Sequence, residues 1–306
     1  MDISVKSLSL NHKNALLFSA SRSGDHNLAH FLLDQCKVNP DAREVNIFTP
    51  LFEASSNGHA EVAKLLIKYG ADVNKVSRAQ VVNHYNLLGH DHEEEFSAGN
   101  VTPLHIAIIN KQPEIANILI ENGANVNVEV GYRSGFTPLF SAVNENLFEI
   151  VKLLIENGAE IHSEDQESTL AHLYFAACFG NFEIVKFHID LGADICRKTK
   201  YGDLPIHGLI RYWKYRRDLN SCMKSLQMLT TPKTVNSIST AHYKHETPLR
   251  LAAENGLLPV VKFLLENGAI PDENDFLAAK NEQVIELLRN NEIETKKLDD
   301  NYILGV

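Results

Sequence analysis

One segment returns along this 306-residue chain in nearly constant register. Residues 49–74 read TPLFEASSNGHAEVAKLLIKYGADVN, 102–127 read TPLHIAIINKQPEIANILIENGANVN, and 137–161 read TPLFSAVNENLFEIVKLLIENGAEI. Further copies occupy 171–195 (AHLYFAACFGNFEIVKFHIDLGADI) and 247–270 (TPLRLAAENGLLPVVKFLLENGAI). Weaker ones begin near Ala15, Leu204 and Glu273, and most spacings fall between 33 and 35 residues. A fixed period of this size marks a stack of small units, because no single unit can bury its apolar face alone.

Each piece of the repeat has a physical reading. Thr49 can cap a helix with its hydroxyl, and Pro50 at the first helical position gives up an N–H that has no partner anyway. Leu51 and Ala54 then face inward, and Gly58 suits a left-handed exit from that helix. Val62, Leu65, Leu66 and Tyr69 recur at helical spacing in a second amphipathic helix, which Gly70 ends. Leu65, Leu119, Leu153 and Leu264 are read as equivalent buried positions of such second helices. Two helices this short are marginal alone and gain stability by stacking on the next pair.

These residues resemble the ankyrin repeat, whose signature is T-P-L-H, an A-A pair, a helix-closing glycine, an E-I-V-K-L-L-L helix and G-A-D-V-N. Thr102-Pro103-Leu104-His105 matches it outright, as do the loop ends at Asn74 and Asn127. The resemblance covers about residues 12–290. It implies an all-α, ankyrin-type helical solenoid with β-hairpin fingers over 1–290, followed by a C-terminal tail over 291–306. It also implies that His105 and His207 hydrogen-bond between repeats, and that the chain binds other proteins. The sequence departs from the pattern where Ala171-His172 replaces Thr-Pro, where Arg250 replaces the motif histidine, and where the last copy follows its predecessor after 26 residues.

Two insertions interrupt the register, near 76–98 and 211–220. Stacking requires neither. The first carries His84, His90, Asp91, His92 and Glu93 to Glu95 in a spacing that fits no standard metal pattern, so it reads as an enlarged acidic loop. The second contains RYWKYRRDLN, a basic and aromatic island in an acidic protein. About seven extra residues are close to two helical turns, so one added turn in each helix of the pair would keep both apolar faces inward. Trp, Tyr and Arg dominate binding hot spots, which makes Arg211, Tyr212, Trp213, Lys214, Arg216 and Arg217 candidate partner contacts. In ankyrin-type recognition, by resemblance, the finger residues before each Thr-Pro and the residues before the first-helix glycine face the partner. Those slots hold Phe48, Phe96, Val101, Ile109, Phe136, Phe179, Tyr201 and Tyr243, and clustered exposed apolar side chains mark interaction sites.

Composition narrows the rest. The net charge of −10 argues against nucleic acid as the partner, and an anionic protein patch suits the basic island. No apolar run approaches the roughly 18 residues of a membrane span, and the N-terminus lacks the apolar core of a signal peptide. Cys36, Cys178, Cys196 and Cys222 are scattered without a CxxC pair, which points to reduced thiols in a cytoplasmic compartment. No nucleophile elbow, phosphate loop or zinc-protease motif occurs, so catalytic residues, metal and cofactors are all expected to be absent. The resulting expectation is a non-catalytic protein-binding scaffold using a concave helix and finger face, monomeric when free. Two rival readings are a secreted effector and an enzyme whose site is built on an insertion. The effector reading rests on the acidic tail with Ile303 and Leu304, which resembles the export signal of type IV-secreted bacterial effectors and would place the chain in a host cytosol.

Overall fold

Thr49, Thr102, Thr137 and Thr247 each stand in extended backbone just before a helix. Each hydroxyl accepts an N–H from the first turn, at 3.1 to 3.4 Å. Proline follows each of them, so the helix starts read from the sequence are the ones that form.

The computed structural model describes residues 5–43, 48–79, 99–130, 137–161, 172–199, 202–216, 218–240 and 245–291. The sequence reading takes 1–290 as one array; the structure divides into two compact units, Met1–Glu164 and Asp165–Val306. The first holds α1 (Leu10–Ser23), α2 (His26–Asp34), α3 (Pro50–Asn57), α4 (Ala60–Lys68), β1 (Ser77–Ala79), β2 (Gly99–Val101), α5 (Pro103–Ile109), α6 (Pro113–Glu121), α7 (Pro138–Asn144) and α8 (Phe148–Glu156). The second holds α9 (His172–Phe179), α10 (Phe182–Asp190), α11 (Pro205–Arg211), a 3-10 turn (Trp213–Tyr215), α12 (Leu219–Leu229), α13 (Pro248–Glu254), α14 (Leu258–Glu266), α15 (Glu273–Ala278) and α16, helical over 282–291. No helix among the described residues is long and apolar enough to cross a membrane. The tail read as an export signal lies, from residue 292 onward, outside the described residues.

Within each unit, first helices pack on first helices: α1 on α3, α3 on α5, α5 on α7, and separately α9 on α11, α11 on α13, α13 on α15. Second helices stack likewise, with α2, α4, α6 and α8 in one row and α10 against α12 in the other unit. The loops are clipped by a repeated device. Asn74, Asn127 and Asn236 each donate a carboxamide N–H to the carbonyl of Gly123, Gly158 and Gly268, at 3.2, 2.9 and 2.9 Å. Each carboxamide oxygen accepts from the N–H two residues further on, at Asn125, Glu160 and Ile270. Cys196 occupies the same loop position after α10, where a thiol cannot make that pair of bonds.

The core corrects one register. Counting four residues back from the glycine that ends each second helix gives Leu66, Leu119, Leu154 and Leu264, all wholly buried. The set Leu65, Leu119, Leu153 and Leu264 mixed two adjacent positions, and Leu153 is only half-buried. In α10 the same slot holds His188, also without exposure, its Nδ1 within 2.8 Å of the Ile184 carbonyl.

The two insertions stand differently against expectation. β1 pairs antiparallel with β2, with Ser77 opposite Val101 and Ala79 opposite Gly99. The first insertion therefore leaves and re-enters the repeat at one place, and the histidines and acids between residues 80 and 98 lie outside the described residues. That ladder and a Ser239–Glu246 bridge are the strand pairings among the described residues, and the finger positions at 44–47, 131–136, 162–171, 200–201 and 241–244 lie outside them. The second insertion does not add a turn to each helix. Helix α11 keeps seven residues, the 3-10 turn absorbs three, and α12 grows to eleven. The Asp218 carboxylate caps α12 by accepting the N–H groups of Asn220 and Ser221.

Candidate protein-binding surface

Helix α11 begins without the usual hydroxyl, because Leu204 stands where threonine caps the other helices. The His207 ring takes over. Its Nδ1 accepts the Leu204 N–H at 3.1 Å, which leaves Nε2 to donate to the Ser237 carbonyl at 3.2 Å. Ser237 lies in the loop after α12, so the imidazole ties α11 to the loop of its own repeat. Burial pushes this histidine down to about 4, well below its ordinary range.

Around that start lies a buried polar network. Arg211 donates to both oxygens of Asp203, at 2.8 and 3.2 Å, and to the Glu246 carboxylate at 3.0 Å. The Tyr174 hydroxyl reaches Asp203 at 3.3 Å, and Ser239 donates to the same carboxylate. Burial alone would lower the Arg211 pKa, yet the charges of Asp203 and Glu246 hold it above its ordinary value. A guanidinium engaged by two buried carboxylates joins α11, the loop before it and the loop before α13.

The aromatic half of the island also turns inward. Tyr212 and Trp213 are 6 % and 5 % exposed, against 54 % for Tyr215 two residues on. Arg211, Tyr212 and Trp213 were expected to face a partner; Tyr212 and Trp213 are core, and Arg211 is turned inward by its pairing with Asp203 and Glu246. Val101 is corrected in the same way: at 1 % exposure it packs with Phe52, Phe48 and Ile106 beneath the β1–β2 ladder. Phe48 is half-buried with its ring stacked on Phe52 at 5.1 Å, and Ile109 is half-buried at the end of α5. Phe96, Phe136, Tyr201, Arg217 and Tyr243 lie outside the described residues.

What does reach the surface is the second half of the insertion. Lys214 and Tyr215 are exposed, with the ammonium 5.0 Å from the ring centre. The Arg216 guanidinium lies over the Phe179 ring at 5.4 Å, and Lys224 of α12 lies over Phe182 at 5.4 Å. Leu219 at the start of α12 is 52 % exposed. Three cation–aromatic pairs thus gather where the α9–α10 turn meets the insertion. Sequence reasoning missed Phe182, Leu219 and Lys224, and no spacing within W-K-Y signals that Trp213 turns in while Lys214 and Tyr215 turn out.

Burial pushes the Cys178 and Cys222 thiols up to about 12 and about 11, the opposite of an activated nucleophile. All four cysteines are free. Among the described residues no three His, Cys, Asp or Glu side chains stand together as a metal site.

Comparison with known proteins bears on the repeat itself. A family model of ankyrin repeats matches in three copies, over residues 2–77, 79–165 and 173–275. The chain is 26 % identical over 235 residues to transient receptor potential cation channel subfamily A member 1 of Homo sapiens, covering 75 % of this chain but 18 % of that protein. It is 40 % identical over 53 residues to 26S proteasome non-ATPase regulatory subunit 10 of Dictyostelium discoideum, covering 17 % of this chain and 23 % of the relative. Protein phosphatase 1 regulatory subunit 27 of Mus musculus is 38 % identical over 112 residues, covering 37 % of this chain and 60 % of its own length. The chain therefore spans under two thirds of each of these relatives. In fold it resembles the crystal structure of the human ASB11 ankyrin repeat domain, with a TM-score of 0.62 at 24 % identity, covering 84 % of this chain and 99 % of that one. With the helix pairs, the Thr-Pro caps and the family match all in agreement, the chain belongs to the ankyrin-repeat family.

Proposed function

We propose that the chain is a non-catalytic protein-binding scaffold, monomeric when free, and that its contact surface includes the corner formed by Phe179, Lys214, Tyr215, Arg216 and Leu219. Ankyrin repeats are typically protein-interaction scaffolds. The observation that carries the reading is the clustering of three cation–aromatic pairs beside two side chains more than half exposed. Stacking of repeats does not require such a cluster, and large exposed apolar groups rimmed by charge mark interaction sites. The partner presents an anionic patch: the cations speed encounter and the aromatics hold the contact. Reduced cysteines support a cytoplasmic setting.

The test is quantitative binding after partner capture. Wild-type chain and a Tyr215→Ala/Leu219→Ala variant are titrated against the protein recovered from lysate. Both side chains are exposed, so the variant keeps its helical circular dichroism, while binding weakens by about 2 kcal/mol if either is a hot spot. Unchanged affinity in the variant places the contact elsewhere on the repeats.

A further inference from the structure

Arg211 and Arg216 stand five residues apart in one inserted segment and differ in their surroundings. Arg211 is neutralised by Asp203 and Glu246. Arg216 is half-buried, its Nε and Nη2 are sealed from solvent, and neither meets a hydrogen-bond partner. The groups that act on it are the Cys178 and Cys222 thiols and the Tyr212 hydroxyl, with no carboxylate among them. Its stem crosses the α9–α10 turn so closely that a methyl on Gly180 would lie 3.5 Å from Cδ. Burial without a counter-charge lowers its pKa. A desolvated cation with two unmet donors is costly, and nothing in the packing of the repeats calls for one.

We propose that Arg216 is kept unpaired to receive a carboxylate from the partner, so the segment that docks on this corner is an acidic peptide stretch pairing Asp or Glu with apolar residues. This rests on the protein-binding reading and names the chemistry of the partner. Nε and Nη2 form the edge of a guanidinium that accepts a carboxylate side-on through two parallel hydrogen bonds. Because Nε and Nη2 are covered in the free chain, docking requires the side chain to rotate them outward across the Phe179 ring, over which the guanidinium already lies at 5.4 Å. Tyr215 and Leu219, both exposed, offer the adjoining apolar contact. Binding therefore exchanges two unmet donors against thiols for two charge-assisted bonds.

A site of this kind has a signature that a structural arginine lacks: removing the charge strengthens the free protein and weakens binding. Arg216→Met keeps the stem and drops the unmet donors, so its thermal midpoint rises by about 3 °C. The probe is a short fluorescent peptide alternating glutamate and leucine, titrated against the full chain at low salt. Arg216→Met weakens it by about tenfold, and Arg216→Lys, which cannot bind side-on, recovers only part of that loss. The same peptide with glutamine for glutamate binds wild type no better than it binds the variant. A midpoint that falls in Arg216→Met makes the guanidinium structural and overturns the inference. So does a wild-type chain that ignores the acidic peptide, or that binds the glutamine peptide as tightly. If Tyr215→Ala/Leu219→Ala loses the captured partner while Arg216→Met retains it in full, the corner binds protein without a carboxylate; the functional reading then stands and this one falls.

Discussion

In the first unit the turns that close α3, α5 and α7 satisfy themselves. Asn57 donates to the Glu53 carbonyl, Asn110 donates to the Ser56 carbonyl and hydroxyl, and Lys111 reaches Glu145 at 3.2 Å. In the second unit the turns that close α9 and α11 present Phe179, Lys214, Tyr215 and Arg216, with the cations lying on rings rather than on acids. The two units share the helix pair and its caps and differ in what the same turn leaves unpaired. A turn whose polar groups bond to the next repeat contributes to stacking; one whose cations lie on rings makes no such polar link, which is why the proposed contact is placed there.

Charge burial separates the units most strongly. Arg211→Met leaves Asp203 and Glu246 buried without their cation, and a loss of about 3–5 kcal/mol in urea stability is expected. In the first unit Lys111→Ala removes an ion pair whose lysine side chain is 62 % exposed, so less than about 1 kcal/mol should follow. Equal losses would erase the distinction between an anchored and a solvated pair.

Next in size is the corrected core register. Leu154→Ala in the first unit and Leu264→Ala in the second should each cost about 2–5 kcal/mol, because both side chains are wholly buried. Leu153→Ala, one residue away and half-buried, should cost less than half as much. Urea midpoints that rank Leu153 above Leu154 would restore the register read from sequence.

A pH effect is expected in the second unit, where two buried groups oppose each other. His207 titrates near 4 when folded against about 6.5 unfolded. Between those values the unfolded chain holds a proton that the folded one does not, so stability falls as pH drops from 6.5 towards 4. Asp275, which shares reciprocal hydrogen bonds with Asp272 at the start of α15, is raised by burial to about 6 from 3.8. The folded chain keeps that proton longer, so its contribution falls as pH rises from 3.8 through 6. Asp275→Asn therefore leaves the histidine effect exposed, and the urea midpoint of that variant should decline steadily on acidification. Adding His207→Gln should flatten the decline; persistence of the slope would assign it to other groups.

The smallest effect belongs to the first insertion. β1 and β2 bring residues 79 and 99 opposite each other, so replacing 80–98 with a tight turn should change stability by about 1 kcal/mol or less. Loss of helical circular dichroism in that deletion would show that the segment takes part in the core of the first unit.

Much of the fold was legible because its determinants are local. Thr-Pro starts, glycine stops and apolar spacing of three and four residues act within a few bonds of one another, and the repetition of all three made the period unmistakable. The candidate surface was only partly legible. The composition of RYWKYRRDLN marked the segment, but Tyr212 and Trp213 proved to be core, Lys214 and Tyr215 reached the outside, and Arg216 stayed half-buried. An insertion of seven residues can lengthen two helices or fold into a short 3-10 turn, and packing across the fold, where Tyr212 and Trp213 are buried, decides between them.

By itself the sequence determined the repeat, its helix starts and stops, and the absence of familiar catalytic motifs, since each depends on residues near in the chain. The tertiary structure decided which of two arginines is neutralised. Asp203 lies eight residues from Arg211 and Glu246 thirty-five, and they converge only once α11 and α13 have stacked. Arg216 meets no such convergence. Whether a charge is paired depends on distances across the fold, and spacing along the chain does not specify those.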